Sequence, residues 1–149
     1  VLSEALKKSN QIIIDIGAAG TAMRFLTAYF AQKDGCEVLL TGSQRMKERP
    51  IAPLVGALRQ LGADISYAEK EGFPPLKIKG NELEGGKIKL PANVSSQYIS
   101  ALMMIAPKMK KGLEIGLEGE VVSLPYIEMT KKIMEHLYAS IEKKVAEIK

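Results

Sequence analysis

Three cations, Arg45, Lys47 and Arg49, stand close together in the stretch "TGSQRMKERP" over positions 41–50. An arginine guanidinium is a planar fork that grips a carboxylate or phosphate through two parallel hydrogen bonds. The run Val38-Leu39-Leu40 before it reads as a buried strand. After it, Ile51, Leu54, Val55, Leu58 and Leu61 repeat at the spacing of an amphipathic helix, with Pro50 suited to its first turn. The cations therefore fall in a strand-to-helix loop, where free backbone N–H groups favour an anion. A solvated basic loop accounts for the same residues equally well.

Three further helix starts offer similar chemistry. "GAAGT" (17–21) is small enough for backbone N–H groups to approach a phosphate closely, with Gly20 just ahead of the expected helix. "PANVSSQ" (91–97) brings an Asn, the hydroxyls of Ser95 and Ser96, and the Gln97 amide. "VVSLPY" (121–126) sets Ser123 just ahead of Pro125 and Tyr126. Each has a plainer explanation: Ser95 and Ser123 suit helix N-caps, and Gly17 and Gly20 suit a tight turn. Parallel strands would converge these helix starts on one sheet edge, making a pocket for a ligand with more than one negative group. Arg45 is then its natural cationic partner.

The remaining reactive side chains offer less. Cys36 is the only cysteine, which excludes an internal disulfide and points to a reducing compartment. It opens an expected strand over 36–41 and reads as structural. His136 is the only histidine, too few for the usual zinc sites. No residue stands out as a general acid or base, and no metal or cofactor is implied.

The elements that must position these loops fit one folded unit. The chain has 149 residues, 46% of them apolar and 26% charged, enough for a hydrophobic core. A net charge of +4 suits small anions or nucleic acid, but the lysines are spread along the chain as on a solvated surface. No apolar run approaches a membrane span, and "VLSEALKKSN" lacks a signal-peptide core, so a cytoplasmic protein is expected. The chain starts without methionine and "SIEKKVAEIK" stops inside an expected strand hairpin, which suggests a piece of something longer.

Periodicity predicts a short helix over 2–8, a strand over 11–16 and an apolar helix over 21–31. A strand over 37–41, an amphipathic helix over 51–61 and a hairpin of 64–68 with 76–79 follow. The order then repeats: strand 87–90, apolar helix 95–106, strand 113–117, amphipathic helix 126–137, then 140–143 and 147–149. The two series align at an offset of roughly 75 positions, "RFLTA" (24–28) against "QYISA" (97–101). Each unit reads βαβαββ, the first over about 11–80 and the second over about 85–149. A helix apolar on every face must be covered on every face. The expected fold is thus α/β (α+β), with helices packed centrally and sheets outside.

At the four loops the sequence resembles the 5-enolpyruvylshikimate-3-phosphate synthase family. "AGTAMRFLTA", "LTGSQRMKERPI", "LPANVSSQYISALMM" and "SLPYIEMT" match in the family's order, and "RMKERP" and "NVSSQY" are specific. The resemblance implies two similar domains of three βαβαββ units each, with helices inside and substrates in the cleft between them. Residues 1–149 would be about two units of the N-terminal domain, its partner being the C-terminal domain of the same chain. The implied reaction moves the enolpyruvyl group of phosphoenolpyruvate to the 5-hydroxyl of shikimate 3-phosphate, in aromatic amino acid biosynthesis.

By the same resemblance Arg45 binds phosphoenolpyruvate and Gly20 brings its N–H to that ligand. Ser95, Ser96 and Ser123 hold the 3-phosphate, Gln97 lies between the substrates, and Tyr126 packs near the shikimate ring. Lys47 and Arg49 would hold the loop through ion pairs. Ala18 stands where the family usually has Asn, and Phe25 where it often has Pro. The family's N-terminal Lys-Ser pair and the proton-transferring residues of its C-terminal domain have no counterpart here. The related UDP-N-acetylglucosamine enolpyruvyl transferases carry a catalytic cysteine in a flexible loop, unlike Cys36, and lack the "NVSSQ" pattern. An RNA-binding domain is disfavoured because Trp is absent, aromatics are only 5%, and no basic stripe alternates with aromatic residues.

Overall fold

The computed structural model describes residues 11–120, 124–138 and 147–148. The expected helix over 2–8, the segment 140–143 and Ser123 lie outside the described residues. A strand β1 (Ile12–Asp15) leads to helix α1 (Gly20–Gln32), strand β2 (Glu37–Thr41) and a short helix α2 (Gln44–Lys47). Helix α3 (Ala52–Gln60) and strands β3 (Asp64–Tyr67) and β4 (Leu76–Lys79) complete the first series. The second runs through β5 (Gly86–Pro91), α4 (Ser96–Ile105), β6 (Leu113–Glu118), α5 (Leu124–Tyr138) and β7 (Glu147–Ile148).

The strands form two sheets, ordered β1-β2-β4-β3 and β5-β6-β7. β1 and β2 run parallel, as do β5 and β6, while β4 is antiparallel to both β2 and β3. The hairpin of β3 and β4 is as the sequence predicts. β7, by contrast, lies parallel to β6, pairing Glu114 with Glu147.

Alternation decides the layering. In β4, Leu76 and Ile78 are buried while Lys77 and Lys79 face out; in β5, Ile88 and Leu90 are buried while Lys87 and Lys89 face out. Period-two patterning of this kind gives each sheet one apolar and one solvated face. The apolar faces turn towards the helices. α1 packs on β2 and β4, α3 touches both β3 and β5, and α4 meets α1, α3 and α5. Helices occupy the middle and the sheets the outside, as expected.

The two apolar helices differ in how far this goes. From Tyr98 to Ile105 in α4, only Met104 is exposed. In α1, burial is confined to Met23, Thr27, Ala28 and Ala31; Phe25, Leu26 and Phe30 are half-buried and Tyr29 is exposed. The expectation that both helices are covered all round is thus met by one of them. Packing on β2, β4 and α4 covers one side of α1, and its opposite side stays open among the described residues.

Two buried hydroxyls in this core are satisfied locally. Thr27 Oγ1 donates to Met23 O at 2.6 Å. Ser100 Oγ and Thr130 Oγ1 lie 3.0 Å apart and tie α4 to α5, while Thr130 Oγ1 also donates to Tyr126 O. Partnering of this kind removes the cost of an unpaired buried polar group.

Candidate functional site

Because β1 and β2 are parallel, the chain leaves both on the same edge, towards α1 and α2. The two exits are laced together. Ile16 N donates to Thr41 O at 3.0 Å and Ser43 N donates to Gly17 O at 2.9 Å, while Asp15 Oδ1 accepts from Gly17 N at 2.8 Å. Gly17 turns the chain with φ +57°, a conformation that costs glycine nothing. The approach of the two loops leaves no room for a side chain at Gly42, where a Cβ would lie 2.6 Å from Gly17 O.

The stretch 41–50 is not the plain loop the sequence suggests. Its middle folds into α2, one turn capped by Ser43, whose Oγ accepts from Met46 N at 3.3 Å. Met46 faces the core, so Arg45 and Arg49 are left exposed. With Ala18, Ser43 and Met46 they line an open cavity of about 520 Å³. Pro50 precedes α3 by two residues, and Pro53 sits in the first turn instead.

The three cations divide their roles. Lys47 Nζ meets Glu69 Oε1 at 3.2 Å, an ion pair that fastens the loop to the β3–β4 connection as expected. Arg49 makes no ion pair among the described residues, which corrects its expected role. Its guanidinium lies against Gly20 instead, in the place a Cβ there would need. Arg45 likewise has no ion-pair partner among the described residues. Two uncompensated guanidinium groups therefore border one cavity beside the first turn of α1, whose unpaired N–H groups also favour an anion.

The start of α4 joins this edge from the second series of elements. Ser95 caps the helix, its Oγ accepting from Gln97 N at 3.3 Å. Capping uses a lone pair and leaves the hydroxyl proton free, so the same serine is able to cap and to bind a phosphate. Ser95→Ala is accordingly expected to lower stability by about 1 kcal/mol with no ligand present, measured by chemical denaturation. Ser96 and Gln97 form the first turn, both partly exposed.

Gln97 reaches across to α1. Arg24 Nη1 donates to Gln97 Oε1, and Gln97 Nε2 donates to Thr21 Oγ1 at 3.1 Å. The Arg24 guanidinium also lies over the Tyr98 ring, 5.4 Å from its centroid, and Tyr98 OH donates to Pro50 O at 2.8 Å. The structure thus gathers Gly20, Ser95, Ser96 and Gln97 around the facing starts of α1 and α4. Arg45 stands at the adjoining cavity. Tyr126 is 62% exposed in the first turn of α5, and no described contact joins its ring to the others. Sequence reasoning does not single out Arg24 and Thr21, although the alignment of "RFLTA" with "QYISA" sets Arg24 opposite Gln97.

The chain is 56% identical over 140 residues to 3-phosphoshikimate 1-carboxyvinyltransferase of Bacteroides fragilis, covering 94% of this chain and 34% of that protein. It is 48% identical to the protein of the same name from Mannheimia succiniciproducens, covering 90% of this chain and 32% of the other. The chain spans about a third of the length of the curated relatives it matches. The fold resembles the solved EPSP synthase of Acinetobacter baumannii, with a TM-score of 0.65 at 23% identity over 80% of this chain and 27% of that one. Since the family's sequence pattern matches residues 2–149, nearly the whole chain, this protein belongs to the EPSP synthase (3-phosphoshikimate 1-carboxyvinyltransferase) family.

Proposed function

We propose that this chain supplies half of the substrate cleft of an enzyme that joins phosphoenolpyruvate to shikimate 3-phosphate. The 5-hydroxyl of shikimate 3-phosphate takes the enolpyruvyl group and inorganic phosphate leaves. The carrying observation is the cavity bordered by Arg45 and Arg49 beside the first turn of α1, two guanidinium groups with no carboxylate partner among the described residues. Such a site is built for a small ligand with more than one negative group. The relatives' names, 3-phosphoshikimate 1-carboxyvinyltransferase, give that ligand its chemistry.

In this reading Arg45 grips phosphoenolpyruvate and the Gly20 N–H approaches the same ligand. Ser95, Ser96 and Ser123 hold the 3-phosphate, Gln97 lies between the substrates, and Tyr126 flanks the shikimate ring. The chain forms part of the N-terminal domain of a two-domain cytoplasmic enzyme, its two βαβαββ units covering about 11–80 and 85–149. In the same reading the proton transfers belong to the other domain, and no described side chain that lines the cavity is a carboxylate, histidine or lysine.

Two measurements test the reading. Incubated with both substrates, the 149-residue chain is expected to release no phosphate, since reactant alignment and acid–base groups both need the other domain. Calorimetry should show weak binding of shikimate 3-phosphate and almost none of shikimate, each lost hydrogen bond to the charged group weakening binding by about 1.5–3 kcal/mol. Ordinary turnover by the chain alone, or equal affinity for the two ligands, overturns the assignment.

A further inference from the structure

The geometry points to Arg24 as the positioning residue that fixes which end of the Gln97 amide faces the ligand. This rests on the reading of Gln97 as a substrate-binding residue. A carboxamide is nearly symmetrical in shape, and only its hydrogen-bond partners decide where its oxygen and nitrogen lie. Arginine has donors and no acceptor, so the atom of Gln97 that meets Arg24 Nη1 must be the oxygen. The amide nitrogen is thereby turned to the start of α1, where it donates one proton to Thr21 Oγ1 at 3.1 Å. Its second proton has no described partner and is left for a ligand.

Arg24 is itself held on two sides. Its guanidinium lies over the Tyr98 ring, and Tyr98 is 7% exposed and anchored through its hydroxyl to Pro50 O. The chain of contacts runs from the end of the arginine-bearing loop through Tyr98 and Arg24 to Gln97 and Thr21. It joins three segments that each contribute to the candidate site. Gln97 therefore acts as a donor, and the ligand atom beside it is an acceptor oxygen, such as an ether, carboxylate or phosphate oxygen. Thr21, accepting from Gln97, keeps its own proton for the same neighbourhood. Arg24 acts through Gln97 and touches no ligand.

The test uses the isotopically labelled 149-residue chain, first without ligand. Arg24→Met should move the Gln97 side-chain amide resonances, and Arg24→Lys, which keeps a donor, should restore them in part. Unchanged Gln97 resonances in Arg24→Met overturn the inference whatever the ligand proves to be. Shikimate 3-phosphate is then titrated. Arg24→Met should weaken binding several-fold, and Gln97→Ala by tenfold or more. The double variant should bind within twofold of Gln97→Ala alone, whereas multiplied losses would mean that Arg24 contacts the ligand directly. Gln97→Glu keeps the acceptor for Arg24 but removes the donor, so it should lose at least as much affinity as Gln97→Ala; wild-type binding refutes the polarity. Thermal melts accompany every variant, and Arg24→Lys carries the comparison if Arg24→Met does not fold. Failure of the unaltered chain to bind shikimate 3-phosphate removes the proposed substrate, while the ligand-free resonances still decide the role of Arg24.

Discussion

Arg45→Lys, made in a full-length enzyme carrying this segment, is expected to lower kcat/KM for phosphoenolpyruvate roughly 10- to 100-fold, the equivalent of one charged hydrogen bond. The charge is kept, so the loss comes from geometry. A guanidinium offers two parallel donors to a carboxylate or phosphate, whereas an ammonium is a point charge. Binding of shikimate 3-phosphate should change far less. Folding stability should stay within about 0.5 kcal/mol, because Arg45 is exposed and has no ion-pair partner among the described residues. Steady-state kinetics beside thermal melts, with Lys47→Arg as the control, read both effects. Lys47 already holds Glu69, and an arginine can do the same. Arg49→Lys is the informative companion, since Arg49 borders the same cavity. A near-normal Arg45→Lys enzyme with a crippled Arg49→Lys enzyme would transfer the role to Arg49.

That ambiguity shows where sequence reasoning stops. The spacing of Ile51, Leu54, Val55, Leu58 and Leu61 fixes a helix, because a continuous apolar stripe leaves little choice of period. The fate of Arg49 depends on whether a carboxylate comes within reach after folding, and spacing carries no information on that. Lys47 finds Glu69, across the β3–β4 connection, whereas the Arg49 guanidinium lies against Gly20 and has no ion-pair partner among the described residues. Helix α2 was illegible for a related reason. One turn nucleated by the Ser43 cap is too short to show a period.

Arg24 is the opposite case, because its signal was present. The internal repeat sets Arg24 against Gln97, and in the fold these equivalent residues hydrogen-bond to each other. Helix α1 packs against α4, so these aligned positions come face to face. An arginine in an otherwise apolar helix needs a partner, and the repeat named it. Composition is a poorer guide to the burial of α1. Its composition is apolar on every side, yet Tyr29 is 42% exposed. Composition states what a helix tolerates, whereas burial depends on which neighbours arrive.

The largest loss of stability is expected at a residue far from the site. Gly80 follows β4 and packs under the C-terminal end of α1. Its N–H donates to Cys36 O at 2.8 Å, and its carbonyl accepts from Gly35 N at 3.3 Å. A Cβ there would run into the Lys33 carbonyl oxygen, and would lie 2.6 Å from Phe30 O and 2.7 Å from Cys36 Sγ. Two of these atoms are backbone, and they are not free to retreat. Phe30 O accepts from Lys33 N and from Cys36 Sγ, and Lys33 O accepts from Cys36 N. Gly80→Ala must therefore break the end of α1 or push β4 out of register with β2, at a cost of about 3 kcal/mol or more. The melting temperature should fall by roughly 10 °C. Gly56→Ala makes the identical chemical change in the middle of α3, where nothing lies within 4 Å of the new methyl. There the methyl raises helix propensity and restricts the unfolded chain, so stability should rise by about 0.4–1 kcal/mol. Opposite signs for the two variants, read by chemical denaturation, are what this packing requires. A Gly80→Ala chain as stable as the parent would mean that α1 does not end against β4 as described.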